Sequence, residues 1–283
     1  MNVSTKRKRI EPYKIFAYII CITLCVLSIL PFWFMIINST RSTVEIQQSS
    51  LAFLPSSYFI DNWRLMLGKA FNPIVGFTNS SIISAGATFC AVYFSALTAY
   101  GLVIYDWRFK NAFFTFIMSV MMIPAQVTTI GFYQFMFTVG LTNNFLPLIL
   151  PAIASPAIVF FMRQYLLGSL HPDIVASARI DCSGEFRTFN TIVLPLMKPA
   201  LATQAIFVFV STWNNFFMPL VLLTDQKRYT MPIMVSLLTG DIYRTELGTI
   251  YLALTLSVIP LFIIYFLFSK YIIAGVALGG IKE

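Results

Sequence analysis

Six stretches of this chain are each apolar for about 20 residues or more, the length needed to cross a bilayer as an α-helix. They run at Ile15–Asn38, Asn79–Ile104, Phe113–Val139, Phe145–Tyr165, Leu201–Leu223 and Thr249–Phe268. Of Asp, Glu, Lys, Arg and His they hold between them one side chain, Arg163, at the end of the fourth, where a long side chain can snorkel to the interface. In hydrocarbon every backbone N–H and C=O must find its partner within the protein, which leaves helices as the spanning form. The sequence therefore predicts an all-α membrane protein with six transmembrane helices. Its content of 58% hydrophobic and 11% charged residues is far from that of a soluble domain.

Six spans put both termini on one side. Short cytoplasmic loops are enriched in Lys and Arg, and 13 of the 19 lie on the side of the termini: Lys6, Arg7, Lys8, Arg9, Lys14, Arg108, Lys110, Arg163, Arg179, Arg187, Lys198, Lys270 and Lys282. Both termini are expected in the cytoplasm, with the protein in the cell membrane. The net charge of +8 follows from this bias and the KRKR run, so no nucleic-acid partner is inferred. The first apolar segment is too long for a signal peptide and has no A-x-A exit, so it reads as a retained span. Between the first two spans, Ser39–Thr78 has room for a short amphipathic helix, with Tyr58, Trp63, Leu65 and Met66 as interfacial anchors.

The chemistry that is missing narrows the function. A proton- or ion-driven carrier generally keeps an ionisable group inside its spans. The chain also has no Walker loop, no G-x-S-x-G elbow and no H-E-x-x-H. The single histidine, His171, and the four cysteines have no metal-ligand spacing. No catalytic residue, metal or bound cofactor is expected, and the energy for any transport is expected from outside the membrane. Polar side chains inside the spans are candidates for lining a path: Gln126 and Thr129 in the third, Gln204, Asn214 and Asn215 in the fifth. Amides beside aromatic rings suit sugar hydroxyls and ring faces; interhelical hydrogen bonding explains them equally well. Pro124, Pro147, Pro151 and Pro156 should bend the third and fourth spans.

One charged interruption, residues 164–199, separates the fourth and fifth spans. Pro172 suits a first helical turn and Asp173 its positive end. Ser183 and Gly184 break the helix, and Glu185, Phe186, Phe189, Ile192 and Val193 start a second before Leu194-Pro195 redirects the chain. The result is a helix–turn–helix lying along the membrane surface.

The run PDIVASARIDCSGEFRTFNTIVLPLMKPALAT resembles the EAA loop of binding-protein-dependent ABC importer permeases. The Glu-Ala-Ala of the motif falls on Ala176, Ser177 and Ala178, its Gly on Cys182, and its Ile-x-Leu-Pro on Ile192, Val193, Leu194 and Pro195. The motif's Glu and Gly are replaced here. Met122-Ile123-Pro124-Ala125-Gln126, Gly140-Leu141-Thr142-Asn143, Trp213-Asn214-Asn215-Phe216 and the C-terminal GVALGGIKE extend the likeness to the smaller, six-span permease of the maltose-transporter type.

This resemblance implies a type I importer permease with an N-terminal segment 1–14, a six-span domain 15–271 containing the coupling loop 164–199, and a C-terminal tail 272–283. It implies a second homologous permease, two cytosolic ATPase subunits that bind ATP and magnesium, and an extracytoplasmic solute-binding protein delivering a sugar or oligosaccharide. ATPase coupling would fall to Ala176, Ser177, Ala178, Arg179, Asp181, Cys182, Gly184, Glu185, Phe186, Leu194 and Pro195. Gly184 would supply the turn flexibility that Cys182 lacks. The tail residues Gly279, Gly280, Ile281 and Lys282 would make a second ATPase contact. The alternative is a secondary carrier or channel for a small solute, working without an ATPase.

Overall fold

The computed structural model describes residues 12–68, 71–239 and 246–280, with the side chains of 125–126 and 270–280 outside the description. Among the described residues all regular structure is helical. In chain order the helices are α1 (Pro12–Asn38), α2 (Thr43–Gln48), α3 (Phe59–Gly68), α4 (Pro73–Ile104), α5 (Lys110–Val120), α6 (Ala125–Thr138), α7 (Leu146–Ile149), α8 (Pro156–Ser169), α9 (Pro172–Ile180), α10 (Glu185–Thr188), α11 (Leu194–Leu196), α12 (Lys198–Trp213), α13 (Phe217–Leu222), α14 (Met231–Thr239) and α15 (Leu247–Gly280).

Four segments are long and apolar enough to span as drawn: Tyr13–Asn38, Pro73–Ile104, Leu146–Ser169 and Leu247–Ser269. Six continuous spans were expected, and the third and fifth are each two shorter helices instead. The third breaks between Val120 and Ala125, where Pro124 takes an extended ψ of 126°. The fifth breaks after Trp213, where the adjacent amides Asn214 and Asn215 lead the chain out of the helix before α13 starts. Such side chains compete with the backbone for hydrogen bonds. The fourth passes from α7 through a 3₁₀ turn at Leu150–Ile153 into α8; Pro147, Pro151 and Pro156 each remove a backbone donor along it.

The chain divides into two compact units. In the first (residues 1–71 and 238–256), α1 exposes nearly all its side chains until Ile37 and Asn38. Arg41 is buried, and its guanidinium donates to Asn38 Oδ1 at 3.2 Å and to Glu45 O at 2.9 Å, so among the described residues carbonyl oxygens hold the charge. Asn62 donates to Ser39 O and Arg41 O, both at 2.9 Å. A Cβ on Gly248 would lie 2.2 Å from Arg41 O, so this approach admits only glycine. Met66 is fully buried, which corrects its assignment as an interfacial anchor; Tyr58 and Leu65 are exposed.

In the second unit (residues 72–237 and 257–283), α4 is the central rod. It starts earlier than its apolar run, because Asn72 accepts from Val75 N as N-cap and Pro73 occupies the first turn. Ala87, Ala91, Ser95 and Ala99 recur every fourth residue and are all buried, a stripe of small side chains on which α8 and α12 approach closely. At its N-terminal end Asn79 donates to Lys227 O and Tyr229 O, both at 3.0 Å. Asn143, in a left-handed conformation at φ 54°, accepts from the backbone of Thr224 and Asp225. These bonds pin the segment between α13 and α14. Trp213 is core: it donates to Ser257 O at 3.0 Å and stacks on Phe209.

Candidate functional site

The charged interruption folds as a hairpin on the C-terminal end of α4. Its first arm, α9, has Asp173 in its first turn and Arg179 in its last, each complementing the helix dipole. It ends in a Schellman motif: Ser183 N donates to Ala178 O at 2.9 Å and Cys182 N to Arg179 O at 3.0 Å. The residue at the turn, Cys182, takes φ 57°, the conformation in which glycine is normally found. Gly184 has φ −64° and ψ 150°, ordinary extended backbone. The expectation that Gly184 supplies the turn is therefore corrected, since the left-handed step is made by Cys182 itself.

The second arm runs from α10 through a π-helical turn at Phe189–Val193 into α11, and the chain then bends by 81° into α12. Phe189 is fully buried against Tyr93 and Tyr100 of α4, with ring centroids 5.8 and 5.5 Å apart. Val175, Val193 and Met197 join the same core. Tyr93 donates to Asn190 Oδ1 at 3.1 Å.

This packing sorts the candidate coupling residues. Ala178 faces inward, and Leu194 is half-buried beside the same core. Ala176, Ser177, Asp181, Cys182, Gly184, Phe186 and Pro195 are exposed. The residue that sequence reasoning passed over is Ile180, 81% exposed; Phe186 on the other arm is 67% exposed. Ile180 and Phe186, the most exposed of the large apolar side chains on the hairpin, mark a surface made to be covered. The signal for Ile180 was its place one turn past Ala176 on α9, on the face opposite Val175 and Ala178.

Arg179 and Glu185 pair with each other: Arg179 Nε donates to Glu185 Oε1 at 2.7 Å. The other oxygen, Oε2, accepts from Tyr105 OH at 2.6 Å and Tyr100 OH at 3.0 Å. Arg179, then Tyr105, hold the Glu185 carboxyl down to about 2. Partial burial and the neighbouring Glu185 push the Tyr105 phenol up.

A second candidate site lies where the interrupted helices meet. Thr128, Thr129 and Phe132 of α6, Pro147 and Leu148 of α7, Pro151, Asn215 and Met218 line a cavity of about 340 Å³. Of the five path candidates, Thr129 and Asn215 line it, while Gln204 and Asn214 do not. The side chain of Gln126 lies outside the described residues. Hydroxyls, one amide and an aromatic ring, with no charge, suit a neutral hydroxylated solute. Ile281 and Lys282 of the tail lie outside the described residues; Gly279 and Gly280 end α15.

Broken spans around a small uncharged cavity, with a hairpin seated on the end of a rod, suit the membrane subunit of a transporter. Residues 91–277 match the family of binding-protein-dependent transport system inner membrane components, and the chain belongs to that family. It is 34% identical over 259 residues to the arabinooligosaccharides transport system permease protein AraQ of Halalkalibacterium halodurans, covering 90% of this chain and 92% of the relative. It is 29% identical over 268 residues to the trehalose/maltose transport system permease protein MalG of Thermococcus litoralis, covering 92% and 94%. The solved structure of a bacterial ABC transporter involved in import of the acidic polysaccharide alginate contains a chain of the same fold, with a TM-score of 0.78 at 22% identity, covering 93% of this chain and 99% of that one. This chain is accordingly a multi-pass permease subunit of an ABC importer and not an enzyme, and ATPase and solute-binding partners come with the family.

Proposed function

We propose that this permease imports a neutral sugar or oligosaccharide by alternating access, with the α9–α10 hairpin as the element that docks into a cytosolic ATPase. The reading rests on one observation above the others, the exposed pair Ile180 and Phe186 on a hairpin whose opposite face is fixed to α4. Docking onto a partner would bury Ile180, Phe186, Ala176 and Ser177 at the centre, with Asp181 and Arg187 at the rim. Closure of the ATPase on ATP and magnesium, both held by the ATPase, would then push the hairpin and reorient the spans.

The hairpin and both termini are assigned to the cytoplasm by the positive-inside bias. A second homologous permease and a pair of ATPases complete the assembly, and the tail residues Gly279, Gly280, Ile281 and Lys282 are assigned a further ATPase contact. The sugar class is supported by the printed activities of the relatives and by the uncharged cavity at Thr128, Thr129, Phe132 and Asn215. The test is Ile180→Asp in the co-expressed assembly. Membrane insertion is unchanged, and recovery of the ATPase with the tagged permease falls at least tenfold, as expected when an apolar hot spot becomes a buried unpaired charge. Undiminished recovery would remove the docking assignment.

A further inference from the structure

We propose that Glu185 is a positioning residue, the joint that fastens the hairpin to α4 so that a push on the hairpin is delivered to the rod. One carboxylate ties three elements together. Oε1 takes Arg179 from the end of α9, Oε2 takes Tyr100 from the last turns of α4 and Tyr105 from just beyond it, and Glu185 itself opens α10. The Arg179 guanidinium also lies over the Tyr105 ring, 5.7 Å from its centroid. A half-exposed ion pair alone is a weak fastening. Two phenol donors on the same carboxylate are charge-assisted bonds to a different element, and they give the contact direction as well as strength.

The joint has a second point of attachment. Tyr93, about two turns back along α4, donates to Asn190, and the buried Phe189 ring sits between the two polar ties. A lever held at two points along a helix transmits rotation as well as translation, whereas one held at a single point swivels. Beyond the joint the small-residue stripe of α4 carries α8 and α12, so movement of its end reaches two spans and, through α12, the break at Asn214–Phe216. Glu185 thereby pairs within its own fold a charge that the hairpin would otherwise offer to the ATPase.

This proposal rests on the docking role of the hairpin given above, and its test is separable from that role. In the co-expressed assembly, with the native cysteines replaced, spin labels go on Gly101→Cys at the end of α4, where added atoms meet open space, and on Thr191→Cys, exposed in the π-helical turn of the second arm. The probe is ATP with magnesium and vanadate. The label-to-label distance is expected to stay single and narrow with and without nucleotide. In Tyr100→Phe/Tyr105→Phe, which leaves the Arg179–Glu185 pair in place, it broadens or shifts on nucleotide addition while the ATPase still co-purifies. Glu185→Gln behaves the same way, and combining it with the Tyr variant adds little, as expected of residues in one network.

A distance in the Tyr variant as narrow as in the parent overturns the joint, and so does a parent distance that already changes with nucleotide. Loss of the ATPase from the Tyr variant also overturns it, because the phenols would then shape the docking surface rather than carry motion. Ile180→Asp leaves every joint residue intact, so an ATPase that stays bound in that variant removes the docking reading alone.

Discussion

The rod α4 and the hairpin on its end are built by opposite rules. In α4 the small apolar residues face inward, the backbone is regular over 32 residues, and no ionisable carboxylate or ammonium occurs. In the hairpin a half-exposed carboxylate bonds to Tyr100 and Tyr105 while Ile180 and Phe186 point into water, and within about ten residues the backbone takes a left-handed cysteine and a π-helical turn. The difference teaches what each is for. An element that only has to stay rigid buries its apolar surface in its own unit; one that has to engage a partner keeps apolar surface in reserve and uses polar bonds to hold its shape.

The contrast breaks most severely if the rod is overfilled. Ala99 has no exposed surface and belongs to the stripe shared with α8 and α12. Ala99→Leu forces added methylenes into a filled layer, at a cost of about 1–3 kcal/mol. Thermal unfolding of the purified assembly should show a lower midpoint, with recovery of the ATPase reduced only as folded protein is lost. A midpoint equal to the parent's would mean that the stripe is loosely packed and that α4 is no rod.

The hairpin offers the converse test, since its backbone carries a cost that one substitution removes. Cys182 sits at φ 57° in the Schellman turn, where a side chain costs roughly 1–2 kcal/mol relative to glycine. Cys182→Gly should therefore stabilise the assembly by about 1 kcal/mol, once the larger unfolded-state entropy of glycine is set against that cost. Cys182→Ala, which removes the thiol but keeps a Cβ, should give no gain. Equal behaviour of the two variants would show that the turn is relaxed and that the replaced motif glycine has no structural consequence.

Much of this architecture was legible in the sequence. The apolar stretches located the four long spanning helices, and the proline positions located the bends at Pro124 and in the fourth stretch. What failed was the assumption that one apolar stretch makes one helix. Hydropathy does not register the local competition at Asn214-Asn215, and the Asn72-Pro73 start signal lay outside the apolar run that defined the second span. In the hairpin, motif register identified the segment but not its faces, because apolar residues occur on both: Val175 and Ala178 on one, Ile180 on the other. The tyrosines that receive Glu185 lie 80 and 85 residues away along the chain, beyond any local pattern.

The smallest expected effect is a pH response that does not occur where an ordinary carboxylate would show one. The groups facing Glu185 are Arg179, Tyr100 and Tyr105. Its carboxyl is lowered from 4.5 to about 2, first by Arg179 and then by Tyr105, so the stabilisation it contributes is present above 4.5 and lost as pH falls toward 2. At the upper end the hydrogen bond to Glu185 raises the Arg179 guanidinium, so that partner stays charged. The distance between α4 and the hairpin, read with the same label pair, should therefore be constant from about pH 6 down to about pH 3, the range over which a carboxyl titrating near 4.5 becomes protonated. Loosening within that window would mean that the carboxylate titrates as a free surface group. The phenol bonds would then be too weak to hold the hairpin to the rod, and Phe189 in its aromatic pocket would be left as the principal attachment between the two regions.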